Sequence, residues 1–359
     1  MYRAARIVEN MHRVAFDMIV NGVNLMLSPL SHYPRSIILL LMGLSSSSAY
    51  ASNELIQNRL EKIFSVSIAL TDSDAISIGF VDFDPNSFIN LNDSGFGSDK
   101  TIDTRSQVSV GSIPYSSVIK TDDPDFDLIW SVRGSYALSE QDIEISSDVT
   151  PDRRVNPNED SVLGLYGFFG GQNHLNQHWS IAYGLGAHLL YYRNKYEYNN
   201  SYSQAFQSQL DGYALNTSAW ALVAEPSVKL QYLQPKEWGS WNVSSRVRYF
   251  YGTGWGEAND GDIGNPEGMR FINELEFRQN VALDAWSLNN PQIHYNLTRI
   301  DVAGDLTAPL DTHYYYEFGA GLVFDVPYDS YFFDNFGIGI NFNYGSSLSG
   351  GSLLFLLNN

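Results

Sequence analysis

The chain has 359 residues, with 21 Lys and Arg against 40 Asp and Glu for a formal net charge of −19, so its bulk charge opposes nucleic-acid phosphate. It has no Cys, which excludes a disulfide scaffold, a thiolate zinc site and a cysteine nucleophile. Mean hydropathy is −0.20 and no apolar run approaches the roughly 20 residues of a membrane-spanning helix; a helical membrane protein is excluded, while 23 Tyr, 20 Phe and 29 Gly leave a β-barrel open.

The longest apolar run, Ile37 to Leu44, follows Arg35 and leads through Ser45 to Ser48 into the small-x-small motif Ala49-Tyr50-Ala51. This is the pattern of a Sec signal peptide, with cleavage expected before Ser52. Residues 1–51 are therefore read as leader. A start at Met26 would give a signal of ordinary length, which makes 1–25 a misassigned start or a long extension. Losing the leader removes Arg3, Arg6, Arg13 and Arg35 against only Glu9 and Asp17, so the mature chain is more acidic still.

Next, Leu55, Ile56, Leu60, Ile63 and Phe64 recur at helical spacing, with Glu54, Arg59, Glu61 and Lys62 between them. The spacing predicts a short amphipathic helix over 53–64 within a lead-in of 52–74. Val66, Ile68 and Leu70 alternate like a strand before Thr71-Asp72-Ser73-Asp74. A strand there would put the long 84–106 connection on the periplasmic side, so a helical or ordered lead-in is preferred.

From Ala75 to the end of the chain the period is two. Tyr314, Tyr316, Phe318, Ala320, Leu322, Phe324 and Val326 alternate with His313, Tyr315, Glu317, Gly319, Gly321, Val323 and Asp325. The same pattern gives strands near 75–83, 107–119, 126–138, 162–170, 177–192, 215–232, 239–252, 268–283, 291–303, 312–325, 334–345 and 349–357. Strands of soluble sandwiches average about 5–6 residues, whereas these have the length that crosses a bilayer at a tilt. Long connections (84–106, 139–161, 193–214, 253–267) alternate with short ones, as external loops alternate with periplasmic turns in outer-membrane barrels. The expected fold is all-β: a transmembrane antiparallel up-and-down β-barrel of twelve strands over 75–359, with a short N-terminal helix. Aromatic groups at Tyr191-Tyr192, Trp238 and Trp241, Tyr249-Phe250-Tyr251, Tyr314-Tyr315-Tyr316 and Tyr331-Phe332-Phe333 fall near strand ends, where interfacial girdles belong.

The inward phase carries Arg133, His188, Glu225, Lys229, Arg246, Arg248, Arg270, Glu274, Glu276, Arg278 and Glu317, charges of both signs on one enclosed face. A paired network is the expectation, with Arg59, Glu61 and Lys62 available to pair if the helix plugs the lumen. No catalytic constellation is found. His174 and His178 straddle a short turn, and His188, His294 and His313 take the lumen phase, away from the lipid side where a membrane phospholipase would need a Ser–His pair. The acidic runs Asp122-Asp123-Pro124-Asp125 and Glu257 to Asp262 are read as solvated charge rather than a Ca²⁺ site. Neither a metal nor a cofactor is expected.

A helix followed by a twelve-stranded barrel of this size resembles the translocator domain of autotransporters. Only Ser52 to Asp74 separate the cleavage site from the first strand, so the resemblance is to a solitary, passenger-less barrel. It implies residence in a Gram-negative outer membrane, a non-enzymatic role, and contact with outer-membrane lipid and lipopolysaccharide. Barrel-assembly machinery and periplasmic chaperones are the other implied partners, nucleic acid is not one, and a monomer is expected. The competing expectations are a narrow, porin-like solute channel and a surface receptor or adhesin presented by the long loops.

Overall fold

A computed structural model describes residues 36–83, 106–143, 154–281, 289–325, 335–346 and 348–357. The chain divides into two units, Met1–Ser52 and Asn53–Asn359. Helix α1, Ser36–Leu70, runs from the first into the second.

Twelve strands follow: β1 Ile76–Phe83, β2 Ser106–Lys120, β3 Phe126–Ile143, β4 Asn156–His174, β5 Trp179–Tyr196, β6 Ser218–Lys236, β7 Gly239–Gly256, β8 Glu267–Asn280, β9 Asn289–Gly304, β10 Tyr314–Asp325, β11 Asn335–Gly345 and β12 Ser349–Leu357. Each pairs antiparallel with its sequence neighbours, and β1 closes the barrel on β12. Short helices α2, Ser201–Leu210, and α3, Thr307–Leu310, decorate the connections β5–β6 and β9–β10. Among the described residues no helix is long and apolar enough to cross a membrane; the wall is built of strands paired with their neighbours.

The alternation sorts side chains as the pattern requires. Leu165, Phe169, Leu185, Leu222, Ile338 and Phe342 project outward and are exposed on the barrel's outer face. At the turn end Trp179, Tyr232 and Trp241 form one aromatic chain, with ring centroids 5.0 and 5.2 Å apart. At the loop end Tyr191 meets Trp220 at 4.7 Å. Three of the predicted aromatic groups are split by the alternation: Tyr192, Phe250 and Tyr315 point inward and are buried, while Tyr249, Tyr251 and Tyr314 point outward. The group Tyr331-Phe332-Phe333 lies outside the described residues.

Several boundaries differ from expectation, most at β3, β4 and the helix. β3 and β4 extend to Ile143 and back to Asn156, beyond the predicted 126–138 and 162–170, because Glu140, Asp142 and Glu159 continue the ladder outside the apolar band that made the pattern visible. The helix continues past residue 64 to Leu70. Val66, Ile68 and Ala69 are buried with Leu60, Ile63 and Phe64 in one cluster with Ala219, Ala221 and Val223 of β6, Phe250 of β7 and Ile300 and Val302 of β9. Burial of that apolar surface, worth about 1.5–3 kcal/mol for each large side chain, overrides the weak helix propensity of β-branched residues. The half of the lumen toward the loop end is thus an apolar core built around α1, with Phe64 edge-on to Tyr192 at 6.3 Å.

Candidate functional site: an arginine–carboxylate cluster beneath the helix

The chain leaves α1 through Thr71-Asp72-Ser73-Asp74 inside the barrel. Asp72 receives three guanidinium groups from three strands. Arg133 Nη1 of β3 donates to Oδ1 at 2.5 Å, Arg248 Nη1 of β7 to both oxygens at 2.8 and 2.7 Å, and Arg270 Nη1 of β8 to Oδ2 at 2.7 Å. Glu225 of β6 is the second anion: Arg270 Nη2 donates to it at 2.5 Å, Arg248 Nη1 lies 3.3 Å away and His188 Nε2 3.6 Å away. Arg270 and Glu225 are 1% and 0% exposed. Tyr166 of β4 completes the floor, its ring 4.8 Å from the Arg133 guanidinium and 4.4 Å from the His188 ring. Gly186 of β5 makes this possible, since a Cβ there would meet the Tyr166 ring at 2.5 Å. Three cations on two carboxylates, each bond charge-assisted, hold the turn below α1 to the barrel wall.

Above this cluster the helix has further polar contacts. Arg59 Nη2 donates to Asp160 of β4 at 2.8 Å, and Asp160 is fixed by Tyr192 Oη at 2.6 Å and Asn194 Nδ2 at 2.8 Å. Glu61 accepts the Asn265 backbone N–H at 2.7 Å, beside Gly264, whose φ of +89° only glycine adopts without strain. Lys62 is half-buried within electrostatic reach of Glu61 and Asp305. The backbone carbonyl of Asn53 accepts from Asn259 Nδ2 at 3.0 Å, and its side chain bonds the Tyr213 hydroxyl. Ala49, Ala51 and Ser52, the residues of the expected cleavage site, lie within α1.

Below the cluster is a polar chamber of about 350 Å³ bounded by Leu70, Asp72 and Asp74 on one side and by Lys229, Arg246, Glu274, Glu276, Arg278, His294 and Glu317 on the wall. Arg278 Nε donates to Glu276 at 2.7 Å and Ser244 Oγ to Glu274 at 3.3 Å, while Lys229 and Arg246 face each other across β6 and β7. The eleven charges assigned to the inward face therefore divide into two sets. Arg133, His188, Glu225, Arg248 and Arg270 converge on the cluster, and Lys229, Arg246, Glu274, Glu276, Arg278 and Glu317 line the chamber. Two organising carboxylates were not singled out from sequence: Asp72, which sits in a turn with no periodicity, and Asp160, which lies where the apolar alternation fades. Only the strand phase of Asp160 was available as a signal.

The histidines differ in setting. His174 binds Asp127 at 2.8 Å beside Lys120, His188 belongs to the cluster and His294 faces the chamber. His313, expected on the lumen phase, precedes β10 and is exposed in a connection where alternation no longer governs direction. Among the described residues no group of His, Asp or Glu is arranged to hold a metal ion. The Glu257–Asp262 segment contains a short 3-10 turn, Ala258–Gly261.

A closed twelve-stranded antiparallel barrel with an apolar outer face, an aromatic belt and an internal helix defines a bacterial outer-membrane protein. More narrowly, the chain belongs to the solitary outer membrane autotransporter beta-barrel domain family, whose family model matches residues 61–359. Similar solved structures include the transport unit of the autotransporter AIDA-I from Escherichia coli, at 9% identity over 86% of this chain and 97% of that chain with a TM-score of 0.49. The translocator domain of the autotransporter NalP from Neisseria meningitidis is 9% identical over 87% of this chain and 95% of that one, with a TM-score of 0.38. KdgM porin is 10% identical over 78% and 96%, with a TM-score of 0.30. No curated protein matches the chain by sequence.

Proposed function

We propose that this protein is a closed, non-enzymatic barrel of the autotransporter translocator type, exported through the Sec pathway and matured by cleavage before Ser52, whose lumen is plugged by Asn53–Leu70. The observation that carries the reading is the Asp72 carboxylate shared by Arg133, Arg248 and Arg270. A carboxylate at the foot of an apolar helix, bound to three strands at once, is a latch: it fixes the depth of the plug while the apolar cluster above supplies the bulk of the seal. The interior charges supply ion pairing around that plug, which leaves them no evident nucleophile–base pair.

The test is single-channel conductance of the refolded mature barrel with and without residues 53–64. Deletion is expected to raise conductance while the barrel keeps its resistance to heat in detergent, because the strands close on one another without the helix. An unchanged current would overturn the plug. The solute-channel reading finds support in the polar chamber, and in that case intact mature protein would already conduct.

A further inference from the structure

Among the described residues the wall of the barrel is open along a seam beside the plug. β1 begins at Ile76, and its pairing with β2 starts at Ser77↔Ser112. Toward the turn end β2 runs on through Ile113–Lys120, paired with β3 on one side and, among the described residues, with nothing on the other. That is roughly 26 Å of open edge at about 3.3 Å per residue. On the far side of the gap Leu356 and Leu357 of β12 extend beyond its last pair with β1, Ile76↔Phe355. The missing piece is one strand wide. Ile113, in the outward phase of that edge, is 66% exposed, and backbone left unpaired against hydrocarbon is costly.

The residues immediately before β1 have the pattern of that missing strand. From Phe64 to Phe80 the sequence alternates, with Phe64, Val66, Ile68, Leu70, Ile76, Ile78 and Phe80 in one phase, broken there only by Asp72 and Asp74, and Ser65, Ser67, Ala69, Thr71, Ser73, Ala75, Ser77 and Gly79 in the other. In β1 the first phase faces outward and the second inward: Ile78 and Phe80 are exposed and Ser77 is buried. Extending the present register downward would set Ala75 opposite Pro114, Ser73 opposite Ser116 and Ala69 opposite Lys120. It would place Asp74, Asp72 and Leu70 in the outward phase opposite Tyr115, Ser117 and Ile119, and fill the edge to its end. The approach has already begun, since Ser112 Oγ donates to the Ala75 carbonyl at 3.5 Å.

We propose that Ala69–Ala75 is a switch segment with two seats: the inward turn seen here, latched by Asp72, and an extension of β1 that zips onto the open edge of β2 and draws the foot of α1 out of the lumen. The two seats oppose each other. The inward seat keeps the Asp72 ion pairs and leaves the edge open; the strand seat closes the edge, forfeits those pairs and turns Asp72 and Asp74 outward at the turn-side rim. Release of the plug is thereby coupled to completion of the wall. This inference rests on the plug reading, but its test does not use current.

The absence of native cysteine makes disulfide trapping direct. Ser77 and Ser112 already face each other with hydroxyl oxygens 2.9 Å apart, so Ser77→Cys with Ser112→Cys is the positive control and reports correct folding. Ser73→Cys with Ser116→Cys lies four positions further along the same register and is the same kind of cross-strand pair. In mature protein in lipid vesicles under mild oxidation, this second pair is expected to cross-link in a minority of molecules, and severalfold more when Asp72→Asn weakens the latch. A yield no higher than that of Ser73→Cys with Ser131→Cys, on the next strand, would overturn the switch, as would a yield indifferent to Asp72→Asn. Failure of the plug itself shows elsewhere, as an unchanged current on deleting the helix.

Discussion

Asp72 is the residue on which the interior turns. Its side chain is mostly enclosed and bonded to three guanidinium groups that are themselves buried, so removing it strands positive charge as well as deleting bonds. Breaking a buried ion pair from one side costs about 3–5 kcal/mol. Asp72→Ala is therefore expected to speed backbone hydrogen exchange in residues 60–70 by about a hundredfold or more, at roughly 1.4 kcal/mol per tenfold, while the strands stay protected. Exchange unchanged in that segment would show that the apolar cluster alone sets the position of the helix. Sequence reading found the arginines, because each lies on a strand with a readable phase, and missed their anion, because Thr71-Asp72-Ser73-Asp74 has the composition of an ordinary solvent turn.

At the scale of the element, each strand divides its residues between lipid and lumen with no intermediate choice. Leu322 of β10 pairs with Ile338 of β11 on the outer face, while Gly321 faces the chamber. A Cβ at Gly321 would meet only the end of the Leu356 side chain at 2.6 Å before reaching backbone at 3.3 Å, and that side chain can swing aside. Leu322→Arg, which places a guanidinium against hydrocarbon at a cost of about 2–4 kcal/mol near the midplane, is expected to lower folding yield into lipid vesicles far more than Gly321→Ser. Equal yields would contradict the assignment of faces. The helix is the element read least completely: amphipathic spacing marks 53–64, but Phe64 to Leu70 alternate as a strand would, and they are helical because the apolar upper lumen surrounds them on every side.

At the scale of the whole molecule, export and assembly set the boundary of the working protein. The h-region and the Ala49-Tyr50-Ala51 motif predict that mass spectrometry of outer-membrane fractions will find a mature N-terminus at Ser52. Recovery of peptides spanning residues 40–55 from the assembled barrel would refute that processing. Asn53, just past the expected cut, bonds Asn259 and Tyr213 at the loop end of the barrel. These contacts fix the segment that the proposed plug would begin with.

The barrel was legible because its determinants are local. Period-two alternation follows from the pleat of a single strand, and strand length follows from the thickness of a bilayer; both repeat along the chain without reference to which strand lies beside which. Those same rules assigned Arg133, Glu225, Arg248 and Arg270 to the inner face. What local rules do not contain is height and azimuth around a closed cylinder, so they do not say that three of these residues meet one carboxylate or that Lys229 and Arg246 line a separate chamber. Nor do they fix where β1 begins. Residues 66–75 suit helix, turn or strand, and the choice falls to long-range terms: an apolar cavity for Ile68, three arginines for Asp72, and an open edge on β2 that competes for both.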